Sequence, residues 1–275
     1  MREIIYLNGR FIRPEEAKIS ALAPGFGHGF GVFETMRAYN KKIAGLDYHL
    51  RRIKSGAGFI GIKLPYSTDG LKRIIYRTLC LSGYADNYIK LTVWKDIKEA
   101  GILVVTKKYQ PYSAQIYRKG FKIGISSLRQ GEANLFSRLK TTNRLLYELS
   151  FQQAKQKGFD EALILNGKGY ITEASRSNIF FAKGNELFTP SLDCGCLEGV
   201  TRGAILDLAK KHKISAGEGS FTIGDLSAAD EAFLTNSLVG VMPVGFLENK
   251  LIGDYERRKL TNFFIRKYHL LAKKP

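Results

Sequence analysis

Tyr170-Ile171-Thr172-Glu173-Ala174-Ser175-Arg176-Ser177-Asn178-Ile179-Phe180-Phe181 sets a single acid in a small polar stretch between two strand patterns. Glu173 ends one arm of a predicted hairpin. The other arm runs from Glu161 to Leu165, and the turn between them is Asn166-Gly167-Lys168-Gly169. A carboxylate at the edge of a core is costly unless it meets a cation or a protonated partner. A pyridinium nitrogen would serve, and so would an ion pair with Arg176; the residues alone leave both open.

Upstream, Phe121 to Ser126 reads as a strand. A Gly/Asn-containing loop follows, then a helix from about Thr142 to Lys157 that Gly158 closes. Downstream come a helix from about Arg202 to His212, a strand at Glu231 to Thr235, and a C-terminal helix. That last helix carries Leu260, Phe263, Phe264, Tyr268 and Leu271 on one side. Before Pro111 the pattern is a hairpin around Asn8-Gly9 and two amphipathic helices. One is capped by Asp47 and buries Leu50, Ile53 and Ala57; the other runs from Ser67 to Gly83. Strands at Tyr88 to Trp94 and Gly101 to Thr106 complete that half. The expected architecture is α/β (α+β) in two lobes, residues 1–110 and 120–275, joined by an aperiodic linker at 111–119.

The 275 residues suit two domains at roughly 150 residues each. A hydrophobic fraction of 44% excludes a disordered chain, and three cysteines cannot staple one of this size. Cys194 and Cys196 form a lone Cys-x-Cys and the four histidines are scattered, so no metal site is expected. The start of the chain lacks the apolar core of a signal peptide, and no apolar run approaches a membrane span. A cytoplasmic, soluble protein is expected. The net charge of +18 leaves nucleic acid, anionic membrane, anionic small molecules or a plain basic surface open. The basic C-terminal helix (Arg257, Arg258, Lys259, Arg266, Lys267) is more simply a solvated face.

Familiar enzyme signatures are absent. The alternating glycines Gly25, Gly27, Gly29 and Gly31 do not complete G-x-G-x-x-G, and Gly167-Lys168 lacks the earlier glycine of a phosphate loop. Lys140-Thr141-Thr142-Asn143 is more telling. A lysine just before a helix start faces the positive end of the dipole, which favours its neutral, nucleophilic amine. The plainer alternative is a surface lysine beside a cap. Gly199-Val200-Thr201-Arg202 opens a helix with free amides and a hydroxyl, ready for a phosphate, or is an ordinary Thr-capped start. Thr235-Asn236-Ser237 ends a strand with further donors, or simply turns into a loop.

Together and in this order, these segments resemble the class IV aminotransferases, the fold type IV pyridoxal-phosphate enzymes. The likeness also runs through Tyr6-Leu7-Asn8-Gly9, Gly31-Val32-Phe33-Glu34-Thr35-Met36-Arg37 and His49-Leu50-Arg51-Arg52-Ile53. It implies a two-domain, D-amino-acid-aminotransferase-like architecture with the cofactor, pyridoxal 5'-phosphate, in the cleft between the lobes. It implies that Lys140 carries the cofactor covalently and later moves protons. Glu173 would pair with the pyridine nitrogen, so that the ring can accept carbanion charge. Arg52, Val200, Thr201 and Ser237 would bind the phosphate, Arg52 on the resemblance alone. His28, Phe33 and Lys95 would lie on the substrate side. The family's usual Asp-Arg-Gly-Phe and Tyr-Gly-Asp-Gly are here Ala23-Pro24-Gly25-Phe26 and His28-Gly29-Phe30-Gly31.

Within the family, the chain is most similar to 4-amino-4-deoxychorismate lyases, at Lys140-Thr141-Thr142-Asn143-Arg144-Leu145 and from Thr235 to Val244. Release of pyruvate and 4-aminobenzoate, a step of folate biosynthesis, is therefore expected. The alternative is transfer of an amino group from branched-chain or D-amino acids to a 2-keto acid. A basic nucleic-acid-binding protein is a remote third. The resemblance also implies a homodimer acting on a small amino substrate, with neither nucleic acid nor membrane as partner.

Overall fold

The Asn8–Gly9 turn closes the first predicted hairpin, β1 (Ile5–Leu7) against β2 (Arg10–Ile12). The computed structural model describes residues 3–131, 135–254 and 256–273. Met1, Arg2 and residues 132–134 of the predicted Gly/Asn loop lie outside them. The chain divides into two compact units. The first holds the chain up to Gln110 with Leu139–Asn143, Ala272 and Lys273; the second holds Pro111–Arg138 and Arg144–Leu271. The segment bearing Lys140 thus groups with the first unit, not with the rest of residues 120–275.

In the first unit, β3 (Gly31–Tyr39), β4 (Lys42–Ile43), β5 (Asn87–Lys95) and β6 (Ala100–Lys108) join the hairpin. The sheet runs β2-β1-β6-β5-β3-β4, antiparallel throughout. A short α1 (Pro24–Gly27) precedes β3, and the sheet is backed by α2 (Leu46–Phe59) and α3 (Thr68–Ser82). Alternation along the strands sends Met36, Ile89, Leu91 and Val104 to one face. They meet Leu50, Ile53 and Ala57 of α2 and Leu71, Ile75 and Leu79 of α3. Each such Leu or Ile stabilises the unit by roughly 2 kcal/mol when fully buried. Ser67 caps α3 as predicted, its Oγ accepting from Gly70 N–H at 3.1 Å. Asp47 does not cap α2. Gly45 holds that position without a side-chain bond, and Asp47 sits in the first turn, where its charge suits the dipole.

The second unit is built on a mixed sheet. Its strands are β7 (Phe121–Gln130), β8 (Glu161–Asn166), β9 (Ile171–Ala174), β10 (Asn178–Lys183), β11 (Glu186–Pro190), β12 (Ala216–Gly219), β13 (Glu231–Asn236), β14 (Gly240–Leu247) and β15 (Lys250–Leu251). Their order is β12-β11-β10-β13-β14-β7-β8-β9, with β15 on β14. The predicted linker contains a helix, α4 (Ala114–Lys119), with Ser113 at its N-cap. Four more helices follow: α5 (Leu145–Gln156), α6 (Val200–Lys211), α7 (Ile223–Ser227) and α8 (Lys259–Ala272). Ile123, Leu163, Ile171, Ile179, Leu234 and Met242 form the core. Among the described residues, no helix is long and apolar enough to cross a membrane.

Candidate active site

In the first unit, β3 sends Glu34 to its buried face, where the side chain has no solvent exposure. Such a carboxylate needs strong partners, and α2 supplies two from one face, His49 and Arg52, three residues apart. Arg52 Nε donates to Glu34 Oε1 at 2.7 Å and Nη2 to Oε2 at 2.6 Å. His49 Nδ1 lies 2.6 Å from Oε2. Burial alone would raise the Glu34 pKa; the Arg52 charge and the hydrogen bonds from Arg52 and His49 outweigh it and hold it at about 2. Burial, joined by the charges of Arg52 and Lys140, pushes His49 down against the pull of Glu34, so its imidazole is neutral and donates through Nδ1–H. The side chain of Arg52, the predicted phosphate ligand, is 18% exposed and its plane is set by Glu34.

Lys140 is fixed by β3 and not by a helix start. Phe33 N–H donates to Lys140 O and Thr142 N–H to Gly31 O, both at 2.9 Å, and Val32 pairs with Thr141 as an antiparallel bridge. Helix α5 begins only at Leu145, after Arg144, so the dipole expectation for Lys140 does not hold. The backbone of 139–143 finds its partners in the sheet edge instead. A Cβ at Gly31 would stand 2.7 Å from Val93 O and 3.1 Å from Thr142 Oγ1, so this approach requires glycine. Lys140 Nζ lies 4.9 Å from the centroid of the Phe33 ring, and Lys90 Nζ lies 4.8 Å from the same centroid. Phe33, expected on the substrate side, is thus beside Lys140, and Lys90 is a neighbour that the sequence reading missed. Lys95 is half-buried at the end of β5, and His28 is exposed after α1.

In the second unit, Glu173 is 5% exposed on β9. Tyr147 Oη on α5 lies 3.0 Å from Oε1; Leu197 N–H and Asn178 Nδ2 donate to Oε2 at 3.2 and 3.3 Å. Burial and then the Glu173 charge raise the Tyr147 pKa, so its phenol stays protonated and donates. The alternative pairing with Arg176 is not made. Arg176 bonds Glu148 Oε2 at 3.1 Å and lies over the Phe151 ring.

Helix α6 starts at Val200 behind Gly199, which makes no side-chain cap, so Thr201 does not cap it. Thr201 is buried, with Oγ1 3.2 Å from Tyr268 Oη. Ser237 is half-buried in the turn after β13, where Asn236 Oδ1 accepts from Leu238 N–H and Val239 N–H, each at 2.9 Å. Thr235 Oγ1 is buried with no hydrogen-bond partner among the described residues. Thr235 pairs with Asn178 across β10 and β13 and so shares its face, the one from which Asn178 reaches Glu173. An orphaned hydroxyl there, a carboxylate held by neutral donors and open helix amides fit a phosphorylated pyridine.

Lys140 belongs to the first unit, and Glu173 and the start of α6 belong to the second, in a mixed α/β chain with two sheets. Residues 31–245 match the family described as amino-transferase class IV, and the chain belongs to it. Class IV aminotransferases use pyridoxal 5'-phosphate. The chain is 27% identical to the branched-chain-amino-acid aminotransferase of Pseudomonas aeruginosa, over 96% of this chain and 91% of that one. It is 28% identical to the aminodeoxychorismate lyase of Bacillus subtilis, over 91% and 89%. The crystal structure of the branched-chain aminotransferase of Thermoproteus uzoniensis with norvaline matches at a TM-score of 0.91 and 28% identity, covering 100% of this chain and 96% of that one. The probable branched-chain-amino-acid aminotransferase of Aquifex aeolicus is 32% identical, over 94% of this chain and 89% of that one, and most of the relatives are aminotransferases of branched-chain or D-amino acids.

Proposed function

We propose that the chain is a 4-amino-4-deoxychorismate lyase, releasing pyruvate and 4-aminobenzoate. The observation that carries this reading is the pair of lysine nitrogens, Lys140 Nζ and Lys90 Nζ, beside the one Phe33 ring. A substrate with two carboxylates needs a cation besides the base, and Lys90, beside the same ring as Lys140, offers one. Support also comes from the lyase-like segment Lys140 to Leu145.

Pyridoxal 5'-phosphate, when bound, supplies an electron sink conjugated to the substrate nitrogen. Glu173, held by Tyr147, Asn178 and Leu197, keeps a proton on the pyridine nitrogen. Arg52, Val200, Thr201 and Ser237 take the phosphate. Lys140 Nζ removes the proton from the ring carbon bearing the substrate nitrogen. The enolpyruvyl C–O bond then breaks with its electron pair on oxygen, and the ring becomes aromatic. The same ammonium returns a proton to the enol carbon, which gives pyruvate. Lys90 holds a carboxylate of the substrate. A cytoplasmic homodimer belongs to the same reading, and sedimentation of the purified protein checks the dimer.

The test is incubation with 4-amino-4-deoxychorismate alone. Release of 4-aminobenzoate and pyruvate in equal amounts is expected. Turnover only when a 2-keto acid is added would replace the lyase with an aminotransferase acting on branched-chain or D-amino acids.

A further inference from the structure

Helix α8 is tied to the second unit at both ends. At its start, Glu231 accepts from Leu260 N–H at 3.1 Å and from Thr261 N–H at 2.8 Å, and Phe264 meets Phe233 at 5.8 Å between centroids. Near its end, Tyr268 is 8% exposed and touches both elements that offer donors to an anion. Its hydroxyl is 3.2 Å from Thr201 Oγ1, in the first turn of α6. Its ring lies against Gly240, where the turn carrying Ser237 re-enters β14. Gly240 has φ +71°, and a Cβ there would stand 3.0 Å from Tyr268 Cδ1 and Cε1, so only glycine admits the ring.

A threonine hydroxyl has one proton and two lone pairs. Beside an incoming phosphate its proton must go to the phosphate oxygen, and its remaining lone pairs are best met by another donor. A phenol is such a donor. We propose that Tyr268 is a positioning residue for phosphate binding, its hydroxyl donating to Thr201 Oγ1 so that the threonine proton is aimed at a phosphate monoester oxygen. The proposal rests on the reading of Thr201 and Ser237 as the phosphate cradle. It gives the C-terminal helix a part in holding the cofactor.

The full chain is stripped of cofactor and titrated separately with pyridoxal 5'-phosphate and with pyridoxal, which lacks the phosphate. Tyr268→Phe keeps the ring and removes only the hydroxyl. About tenfold weaker binding of the phosphorylated ligand, with pyridoxal unchanged, is expected, because a bond oriented toward a charged group is lost. Tyr268→Phe should cost nothing further in a Thr201→Val background, since it acts through that hydroxyl. Equal loss for both ligands would show a structural role only and overturn the proposal. So would unchanged phosphate binding in Tyr268→Phe while Thr201→Val or Ser237→Ala weakens it. If Thr201→Val and Ser237→Ala both bind like the wild type, the cradle reading itself falls and takes the proposal with it. A wild-type measurement covers poor folding of the variant. Inorganic phosphate should slow amide exchange around Tyr268, and no slowing overturns the proposal.

Discussion

Arg52 and Glu34 face each other as a two-bond fork, Nε to Oε1 at 2.7 Å and Nη2 to Oε2 at 2.6 Å. Removing one partner of a buried pair leaves the other charge uncompensated. Glu34→Gln should therefore destabilise the first unit by about 3 kcal/mol. Trp94, the one tryptophan of the chain, is buried in that unit, so its emission during urea unfolding reads the loss. An unchanged midpoint would contradict the account of the fork.

The same carboxylate makes the first unit sensitive to acid. Its folded pKa of about 2 lies below the ordinary 4.5, so the native state binds fewer protons than the unfolded one. The stabilisation is complete above pH ~4.5 and is lost as pH falls through about 2, roughly 3 kcal/mol in all. His49, pushed below its ordinary 6.5, adds a loss of the same sign as pH falls. Trp94 emission against pH should show the slope, and Glu34→Gln should flatten its lower part.

Glu161 works in the opposite direction. It is buried at the start of β8, where Ser177 Oγ donates at 2.7 Å and Arg176 N–H at 3.0 Å. Burial raises its pKa to about 7, over the opposing hydrogen bonds and the Arg176 charge, with Glu173 adding to the rise. The folded state then binds more protons than the unfolded one between pH ~4.5 and ~7, so rising pH across that window lowers the stability of the second unit, by roughly 3 kcal/mol. Amide exchange along Ala162–Asn166 should accelerate with pH beyond its chemical rate there. Exchange that follows the chemical rate alone would contradict it.

Gly31→Ala should displace the segment bearing Lys140, because the added Cβ meets Val93 O and Thr142 Oγ1. A misplacement of about 1 Å at a reacting group costs on the order of 100-fold in rate. The variant should lose about that much turnover. Lys140→Ala should be colourless after reconstitution and gel filtration, whereas the wild type stays yellow. A persistent absorption band in Lys140→Ala would remove Lys140 from its role.

Much of the fold was legible because its signals are local. Ser67 and Gly83 bound α3, Asn8-Gly9 turns the first hairpin, and Leu50, Ile53 and Ala57 mark the buried face of α2. Glu173, read as a carboxylate at the edge of a core, lies buried on β9. What it missed shares one property. Tyr147 is 26 residues from Glu173, and Glu34 is 18 from Arg52, so neither pair shows in any periodicity.

The sequence by itself determined the longer helices, two hairpins, the order of the motifs and so the family, while the short α1, α4 and α7 escaped it. Those features depend on backbone preferences and apolar spacing within a few turns of chain. Only the tertiary structure decided that Lys140 is held by a strand edge and not by a helix dipole. It also decided that Glu34 orients Arg52, and that α8 reaches Thr201 through Tyr268. The reason is burial: a charged or hydroxyl group excluded from water must take whatever partner the folded chain brings to it.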